Sequence, residues 1–186
     1  MAHRKHFFAL EPTPGSYDVI ETLRTTLQRE LRVGKIRWTK PDAWVIKTHK
    51  LDRLSDHQLD ELADAMHLLP SKPLSLAFWK LELIESRNHS TKIALRLTDP
   101  TATSFESHAA HFPILLRAGL NVYTRPSSPH IVLGHSAHGR SGFQADLSKI
   151  HVPQYTFAID RITLFGSRID PGVGYDPIEW IDLPRS

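Results

Sequence analysis

One histidine, His130, leads a short apolar strand that could place it in a reactive position. It stands in the run Pro129-His130-Ile131-Val132-Leu133, where alternation puts His130 and Val132 on one face of the strand. An imidazole changes its charge near neutral pH and can therefore act as a general acid or a general base. A lone histidine on an apolar strand is also a common structural residue, and this run alone does not separate the two interpretations.

A second strand-like segment offers a lysine and a histidine. Between Trp44 and Lys50, alternation predicts that Val45, Lys47 and His49 share one face. An ammonium group can bind phosphate as a point charge, so Lys47 is a candidate phosphate ligand. A lysine on the edge of a sheet can equally serve only to keep that edge solvated. His49 is a candidate ligand-binding residue on the same predicted face.

Further polar candidates follow the His130 strand. His135 lies near its end, and Arg140 lies in a basic loop within residues 137–154, a stretch long enough to be functional. That loop could fold over an anion, or it could be an ordinary surface loop. His130, His135 and His138 could be read as metal ligands, but no carboxylate stands beside them and their spacing matches no known motif. We therefore predict neither a metal nor a cofactor.

Composition narrows the classes of protein without naming one. The 186 residues include no cysteine, which excludes disulfides, thiolate metal sites and a cysteine nucleophile. The net charge of +3, with twelve histidines, permits an anionic ligand. No apolar run approaches the roughly 20 residues of a membrane span. We expect a cytoplasmic, monomeric protein that does not associate with membranes.

The spacing of the strands suggests two related halves. The strand-like Phe7-Phe8-Ala9-Leu10 begins 38 residues before Val45, and Ile93-Ala94-Leu95-Arg96-Leu97 begins 37 residues before His130. A helix-like stretch fills most of the gap in each half. Val45 and His130 are therefore predicted to occupy equivalent positions in two lobes.

The order of the remaining elements predicts an α+β protein with antiparallel sheets. Ser16 is the expected N-cap of the first helix, and Ser55-Asp56-His57-Gln58 is a capping box for the next. The apolar residues alternate at even positions up to Phe78 and at odd positions from Leu81, which predicts a bulge or strand break near Trp79. A helix is expected from Ser104 to Gly119, interrupted at Pro113, with Gly119 as its C′ residue. Further predicted strands are His6–Glu11, Lys35–Trp38, Leu74–Leu83, Ile93–Thr98, Asn121–Thr124, His130–Ser136, Phe157–Phe165 and Tyr175–Leu183.

In this order the chain resembles the 2H phosphoesterase superfamily, which includes the 2′-5′ RNA ligase-like RNA 2′,3′-cyclic phosphodiesterases. The similar pieces are Phe7-Phe8-Ala9-Leu10-Glu11-Pro12, Arg37-Trp38-Thr39-Lys40-Pro41-Asp42, Pro129-His130-Ile131-Val132-Leu133, and Ile162-Thr163-Leu164-Phe165 with Ser167, Pro171-Gly172 and Tyr175. The resemblance implies a two-lobed, pseudo-symmetric fold in which antiparallel sheets line a central cleft and helices lie outside. Residues 1–186 would then form a single domain of two interleaved lobes.

The family's chemistry uses two His-x-Thr-x motifs, and this chain departs from both. The resemblance implies one histidine as base, one as acid, and two hydroxyl side chains that hold the phosphoryl oxygens. Here the first motif reads Val45-Ile46-Lys47-Thr48, and the second keeps His130 but carries Val132 in place of the hydroxyl residue. A register slip of four residues would bring His49 to the first position, but the flanking segments fit the family without a gap.

Two functions therefore remain open. The first is a phosphodiesterase-like activity on RNA or nucleotide 2′,3′-cyclic phosphate ends, weak or altered because one histidine is missing. The second is non-catalytic binding of a nucleotide or RNA end that carries phosphate. The predicted catalytic residue is His130, and the predicted ligand-binding residues are Val45, Lys47, His49, Val132, His135 and Arg140.

Overall fold

The computed structural model describes residues 5–31, 36–51, 54–69, 72–85, 90–99, 113–120, 128–136, 146–167 and 175–184. Its strands are β1 (His6–Pro12), β2 (Ile36–Trp38), β3 (Ile46–Leu51), β4 (Ser75–Glu85), β5 (Thr91–Thr98), β6 (His130–Ser136), β7 (Thr156–Ser167) and β8 (Tyr175–Asp182). The helices are α1 (Pro14–Glu30) and α2 (Asp56–Met66), with helical residues also at 113–117 and short 3₁₀ turns at Pro41–Ala43 and Leu147–Lys149. The predicted strand Asn121–Thr124, the first part of the predicted helix from Ser104, and Arg140 and His138 lie outside the described residues.

All strand pairings in the described sheet are antiparallel, which confirms the α+β prediction. The order is β2-β6-β5-β4-β7-β1-β3, with β8 paired to β7. The long strand β7 joins the two lobes, because its first residues pair with β4 and the rest pair with β1 and β8. The described strands therefore form two lobes of one antiparallel sheet, which share β7 and line a central cleft.

The two faces of the strands in the first lobe bury different clusters. One face packs into the large core, together with α1 and α2; this core includes Phe8, Leu10, Ile46 and Leu164. The opposite face carries a small aromatic cluster of Phe7, Ala9, Val45 and Phe165, with Tyr175 packed against it. We call this opposite face the cleft face of the first lobe. Among the described helices, none is long and apolar enough to cross a membrane.

Local sequence signals explain most of the element boundaries. Ser55 accepts a hydrogen bond from the Gln58 amide and donates its own amide to the Gln58 side chain, so the predicted capping box is confirmed. The pairing of β4 with β5 shifts between Phe78 and Lys80, which confirms the predicted bulge at Trp79. Gly119 has a φ of +66°, as the predicted C′ residue of a helix requires.

The predicted N-cap of the first helix was wrong. The helix begins at Pro14, with Thr13 as its N-cap, and the Ser16 hydroxyl donates instead to the Thr13 carbonyl at 2.6 Å. Proline fits the first helical position because its fixed φ suits the helix and its missing N–H is not needed there. The Pro-x-Pro-Gly stretch therefore starts the helix as well as ending β1.

The first lobe contains a bulge that changes which residues face the cleft. Ala9 pairs with Lys47 and Phe7 pairs with Lys50, which leaves Thr48 as an extra residue on β3. Directly paired residues of an antiparallel ladder project to the same face. Lys47 and Lys50 therefore both lie on the cleft face, beside the small aromatic cluster.

The second lobe repeats this arrangement. Ala94 pairs with Val132 and Lys92 pairs with His135, which leaves one extra residue on β6. The two registers match at one constant offset along the chain: positions 9 and 94, 47 and 132, and 50 and 135 correspond. By the same offset, Val45 corresponds to His130, which supports the equivalence that we inferred from the spacing of the strands.

Candidate functional site

The first lobe holds Lys47 over aromatic rings. Its Nζ lies 3.9 Å from the ring centroid of Phe7 and 4.1 Å from that of Tyr175. Burial lowers the pKa of Lys47 from 10.5 to about 8, and the charges of Lys92 and Lys50 act in the same direction. Lys47 is thus a half-buried cation that is mostly protonated at neutral pH but loses its proton more readily than an ordinary lysine.

Val45 lies at the position of the first lobe that corresponds to His130 in the second. It directly precedes β3, is 6% exposed, and packs with Phe7, Ala9 and Phe165. An isopropyl group can neither move a proton nor donate a hydrogen bond. The first lobe therefore contributes an apolar wall and a cation, and no acid–base group, at this position.

The second lobe presents His130 in a defined tautomer. Its Nδ1 lies 3.0 Å from the Ser128 carbonyl oxygen. A carbonyl oxygen only accepts, so Nδ1 carries the hydrogen and the neutral ring has its lone pair on Nε2. Nε2 is therefore the nitrogen that can accept a proton from a substrate or a water molecule.

A charged network fixes the Ser128 carbonyl. Arg96, which pairs with His130 across the ladder, donates from Nη1 to the same carbonyl oxygen at 3.2 Å. Its Nε forms a salt bridge with Glu82, and that hydrogen bond lowers the pKa of the Glu82 carboxyl. One carbonyl thus orients both the imidazole and the guanidinium.

Burial and positive charge favour the neutral form of His130. Burial lowers its pKa most, and the cations Arg96, Lys92 and Lys50 lower it further, while the hydrogen bond to Ser128 opposes them. A neutral imidazole with a free lone pair on Nε2 is suited to begin a reaction as a general base.

His135 and Val132 share the face of β6 on which His130 lies. His135 pairs with Lys92, and burial lowers its pKa, followed by the charges of Lys92, Arg37 and Lys47. Since Lys47 belongs to the first lobe, the cations of the two lobes act on one another across the cleft. Val132 pairs with Ala94 and is half-buried, so it offers an apolar contact where the resemblance implied a hydroxyl group.

Sequence reasoning missed Lys92 and Lys50. Lys92 is half-buried; burial lowers its pKa first, and the charge of Lys50 lowers it further. Both lysines look like solvent-exposed strand residues in the sequence. The feature that points to both lysines is the constant offset between the two lobes. By this offset Lys50 corresponds to His135, and Lys92 is the residue that pairs with His135 across the ladder.

The prediction that His49 binds a ligand in the cleft is corrected, because the bulge turns its side chain to the other face of β3. His49 pairs with Phe8, is 0% exposed, and lies with its ring edge-on to that of Phe8 at a centroid distance of 6.5 Å. Because Thr48 is the extra residue, the alternation along the strand shifts by one and His49 points to the large core instead of the cleft.

Arg140 lies outside the described residues. Within the described ranges, no group of three metal-ligating side chains comes together.

The described site can therefore bind an anion and move one proton. Lys47, Lys50 and Lys92 attract negative charge, and His130 supplies one acid–base group. The small aromatic cluster with Tyr175 offers apolar surface beside these cations. A second acid–base group facing His130 is absent from the position that symmetry assigns to it, since that position holds Val45.

Comparison with known proteins places this geometry in context. No family model matches the chain. It is 23% identical over 182 residues to an RNA 2′,3′-cyclic phosphodiesterase from Bacillus subtilis (strain 168), covering 94% of each chain. The crystal structure of E. coli LigT complexed with 3′-AMP superposes with a TM-score of 0.72 at 16% identity, covering 99% of this chain and 100% of that one. The crystal structure of TT0787 from Thermus thermophilus gives a TM-score of 0.69 at 14% identity, covering 96% and 97%.

These likenesses extend over nearly the whole chain. At the level of the fold, the resemblance drawn from the sequence is confirmed: this chain has the fold of the E. coli LigT and Thermus thermophilus TT0787 structures.

Proposed function

We propose that the protein is a phosphoesterase that acts, weakly, on the 2′,3′-cyclic phosphate ends of RNA or nucleotides. The observation that carries the proposal is the fixed His130 ring, whose Nδ1 is committed to the Ser128 carbonyl and whose Nε2 is left for proton transfer. The similarity to the Bacillus subtilis RNA 2′,3′-cyclic phosphodiesterase supports the substrate class.

In the proposed reaction, Nε2 of His130 takes a proton from a water molecule as the water oxygen bonds to phosphorus. The bond between phosphorus and one ribose oxygen breaks, and that oxygen takes a proton from solvent. The cations Lys47, Lys50 and Lys92 offset the negative charge of the phosphoryl oxygens. Solvent then removes the proton from His130 and restores the starting state.

The turnover is expected to be low because Val45 cannot protonate the leaving oxygen. A positioned acid or base contributes about 10²- to 10⁴-fold to a rate, and one of the two is missing. The hydroxyl position of the second lobe is also lost, since Val132 donates no hydrogen bond to a phosphoryl oxygen. We therefore expect turnover well below about 1 s⁻¹, the lower end of the ordinary range for enzymes.

The test is hydrolysis of adenosine 2′,3′-cyclic monophosphate, followed by chromatographic separation of the products. Wild type should give slow turnover, His130→Ala should fall to the uncatalysed background, and His57→Ala should match wild type. His57 is a suitable control because it is exposed on α2, beside Glu61. Turnover that survives in His130→Ala would show that this residue is not the base.

The alternative function, binding of a phosphate-bearing nucleotide or RNA end without turnover, is favoured by one observation: Val45 is sealed in an apolar cluster where an acid is needed. It would be identified by micromolar or tighter binding of a nucleotide 3′-phosphate together with no hydrolysis above background in the wild-type protein.

A further inference from the structure

The carbonyl oxygen that sets the tautomer of His130 lies one residue beyond the hydrogen bonds of the sheet. At this end of β6, the Leu97 amide donates to the Pro129 carbonyl at 3.0 Å. Pro129 has no amide hydrogen with which to add a bond in return. Among the described residues, the hydrogen bonds that the Ser128 carbonyl accepts come from the side chains of Arg96 and His130. The position of this carbonyl therefore depends on side chains instead of the sheet.

The Arg96 side chain is held from two sides. Its backbone lies between Lys80 on β4 and His130 on β6, and its side chain is only 18% exposed. Nε donates to the Glu82 carboxylate, and Nη1 donates to the Ser128 carbonyl at 3.2 Å. A guanidinium is a planar fork whose N–H groups point in fixed directions, so the bond from Nε sets the direction of Nη1. Glu82 thus aims Arg96, and Arg96 holds the carbonyl.

The first lobe shows that the fold does not require an arginine at this position. By the constant offset between the lobes, Glu11 corresponds to Arg96, just as Val45 corresponds to His130. Glu11 carries the opposite charge and accepts a hydrogen bond from Thr163 on β7. The arginine therefore occurs in the lobe that carries the imidazole, whereas the lobe with valine carries a carboxylate in its place.

The charge of Arg96 adds to the effect of its geometry. Arg96 and His130 donate to the same carbonyl oxygen, so protonation of the ring would place a second cation on that oxygen. Burial favours the neutral ring most, and the charges of Arg96 and Lys92 on β5 and of Lys50 on β3 favour it further. The carboxylate of Glu82 on β4 interacts with His130 with the opposite sign. Removing Arg96 would therefore make protonation of the ring easier.

We propose that Arg96, aimed by Glu82, is a positioning residue that holds the His130 ring in its Nδ1–H form and leaves Nε2 free as the base. This rests on the proposed function, in which His130 takes a proton from water. Arg96 acts through the Ser128 carbonyl and contacts no reacting atom.

The first test is nitrogen-15 NMR of the histidine rings, in which the two neutral tautomers and the imidazolium have different shifts. The spectrum of His130→Ala identifies the His130 signals among those of the twelve histidines. Wild type should show the Nδ1–H tautomer alone. Arg96→Lys keeps a cation beside Glu82, so the fold is retained, but it lacks the planar fork and should give a mixture of tautomers. Arg29→Lys is the matched control, because Arg29 is exposed, and it should leave the His130 signals unchanged.

Two more variants separate geometry from charge. Glu82→Met removes the acceptor that aims the guanidinium and should also give a mixture of tautomers. Arg96→Met removes the charge as well, so the pKa of His130 should rise in an NMR titration. Arg29→Met should leave that pKa unchanged. A single Nδ1–H tautomer in both Arg96→Lys and Glu82→Met would overturn the proposal.

Hydrolysis of adenosine 2′,3′-cyclic monophosphate gives the second test. In Arg96→Lys, kcat should fall about tenfold or more while KM stays within about twofold, because a misplaced base slows the chemical step and leaves binding intact. An unchanged kcat would overturn the proposal.

The NMR measurement does not depend on turnover, so the two proposals can fail separately. Wild-type hydrolysis with an unchanged tautomer in the variants would leave the phosphoesterase proposal intact and overturn this one. Altered tautomers in a protein without hydrolysis would show that Arg96 positions the ring and that the ring is not used as a base.

Discussion

Replacing Lys47 by methionine should remove the free-energy cost of burying its charged ammonium group, a cost that depends on pH. Methionine keeps an unbranched chain over Phe7 and Tyr175 but carries no charge. In the folded protein the pKa of Lys47 falls from 10.5 to about 8. Between these two values the unfolded chain binds more protons than the folded protein, so the free energy of unfolding rises with pH across this window.

The size of the effect follows from the two pKa values. One pKa unit corresponds to about 1.4 kcal/mol, and integrating the linkage relation from pH 7 to pH 10 gives a gain of about 2 to 3 kcal/mol for the wild-type protein. The charged groups that face Lys47 are Lys50 on β3, Lys92 on β5 and His135 on β6, with the Tyr175 phenol on β8. These groups titrate in both proteins, and the change that loss of the Lys47 charge causes in the pKa of His135 is part of the measured difference.

The assay is urea unfolding, followed by tryptophan fluorescence, at several pH values from 7 to 10. At pH 7, Lys47→Met should be about 1 to 2 kcal/mol more stable than wild type, because losing the desolvation cost outweighs losing the contacts with the two rings. The difference should shrink or reverse by pH 10. Lys149→Met should follow the wild-type curve, since Lys149 is exposed. Parallel curves for wild type and Lys47→Met would refute the claim that Lys47 is held as a strained cation.

Two further variants, each with its own comparison, test the arrangement of the strands. Combining Val45→His, Lys47→Thr and Val132→Thr should raise hydrolysis of the cyclic nucleotide by about 10²-fold or more, since the backbone positions already correspond; a folded but inert triple variant would refute that correspondence. Gly134→Ala should lower the free energy of unfolding by about 1 to 3 kcal/mol, because a Cβ there would lie 3.0 and 3.1 Å from two side chains of β2. Gly15→Ala, where a Cβ meets nothing within 4 Å, should leave the stability within about 0.5 kcal/mol in a parallel urea titration.

Signals that act within a few residues could be predicted from the sequence. The Ser55 capping box and the Gly119 helix end depend only on neighbouring backbone groups, so the residue types were sufficient. The bulge at Trp79 was visible because the apolar residues of β4 change parity around it. At Thr13, two local signals competed, and the preference of proline for the first helical turn outweighed the capping preference of serine.

The bulge at Thr48 could not be predicted in the same way. The residues of β3 on both sides of the bulge mix polar and apolar side chains, so no change in the alternation of apolar residues marks it. One inserted residue was enough to turn His49 into the core and to bring Lys50 onto the cleft face. Alternation thus predicted correctly that Val45 and Lys47 share a face, and it failed for His49, one residue beyond the irregularity.

Because the registers of the two lobes match, the fold provides two equivalent backbone positions that can carry side chains of different chemistry. Both lobes offer the same backbone position to the cleft, and this chain fills one with His130 and the other with Val45. Restoring acid–base chemistry to the first lobe would require a polar group inside the cluster of Phe7 and Phe165, where an unpaired polar atom is costly. Lys47, two residues further on, lies over the rings of Phe7 and Tyr175 at the edge of that cluster, at the desolvation cost described above. Under the proposed function, the first lobe therefore supplies a charge that attracts a phosphate and no group that transfers a proton.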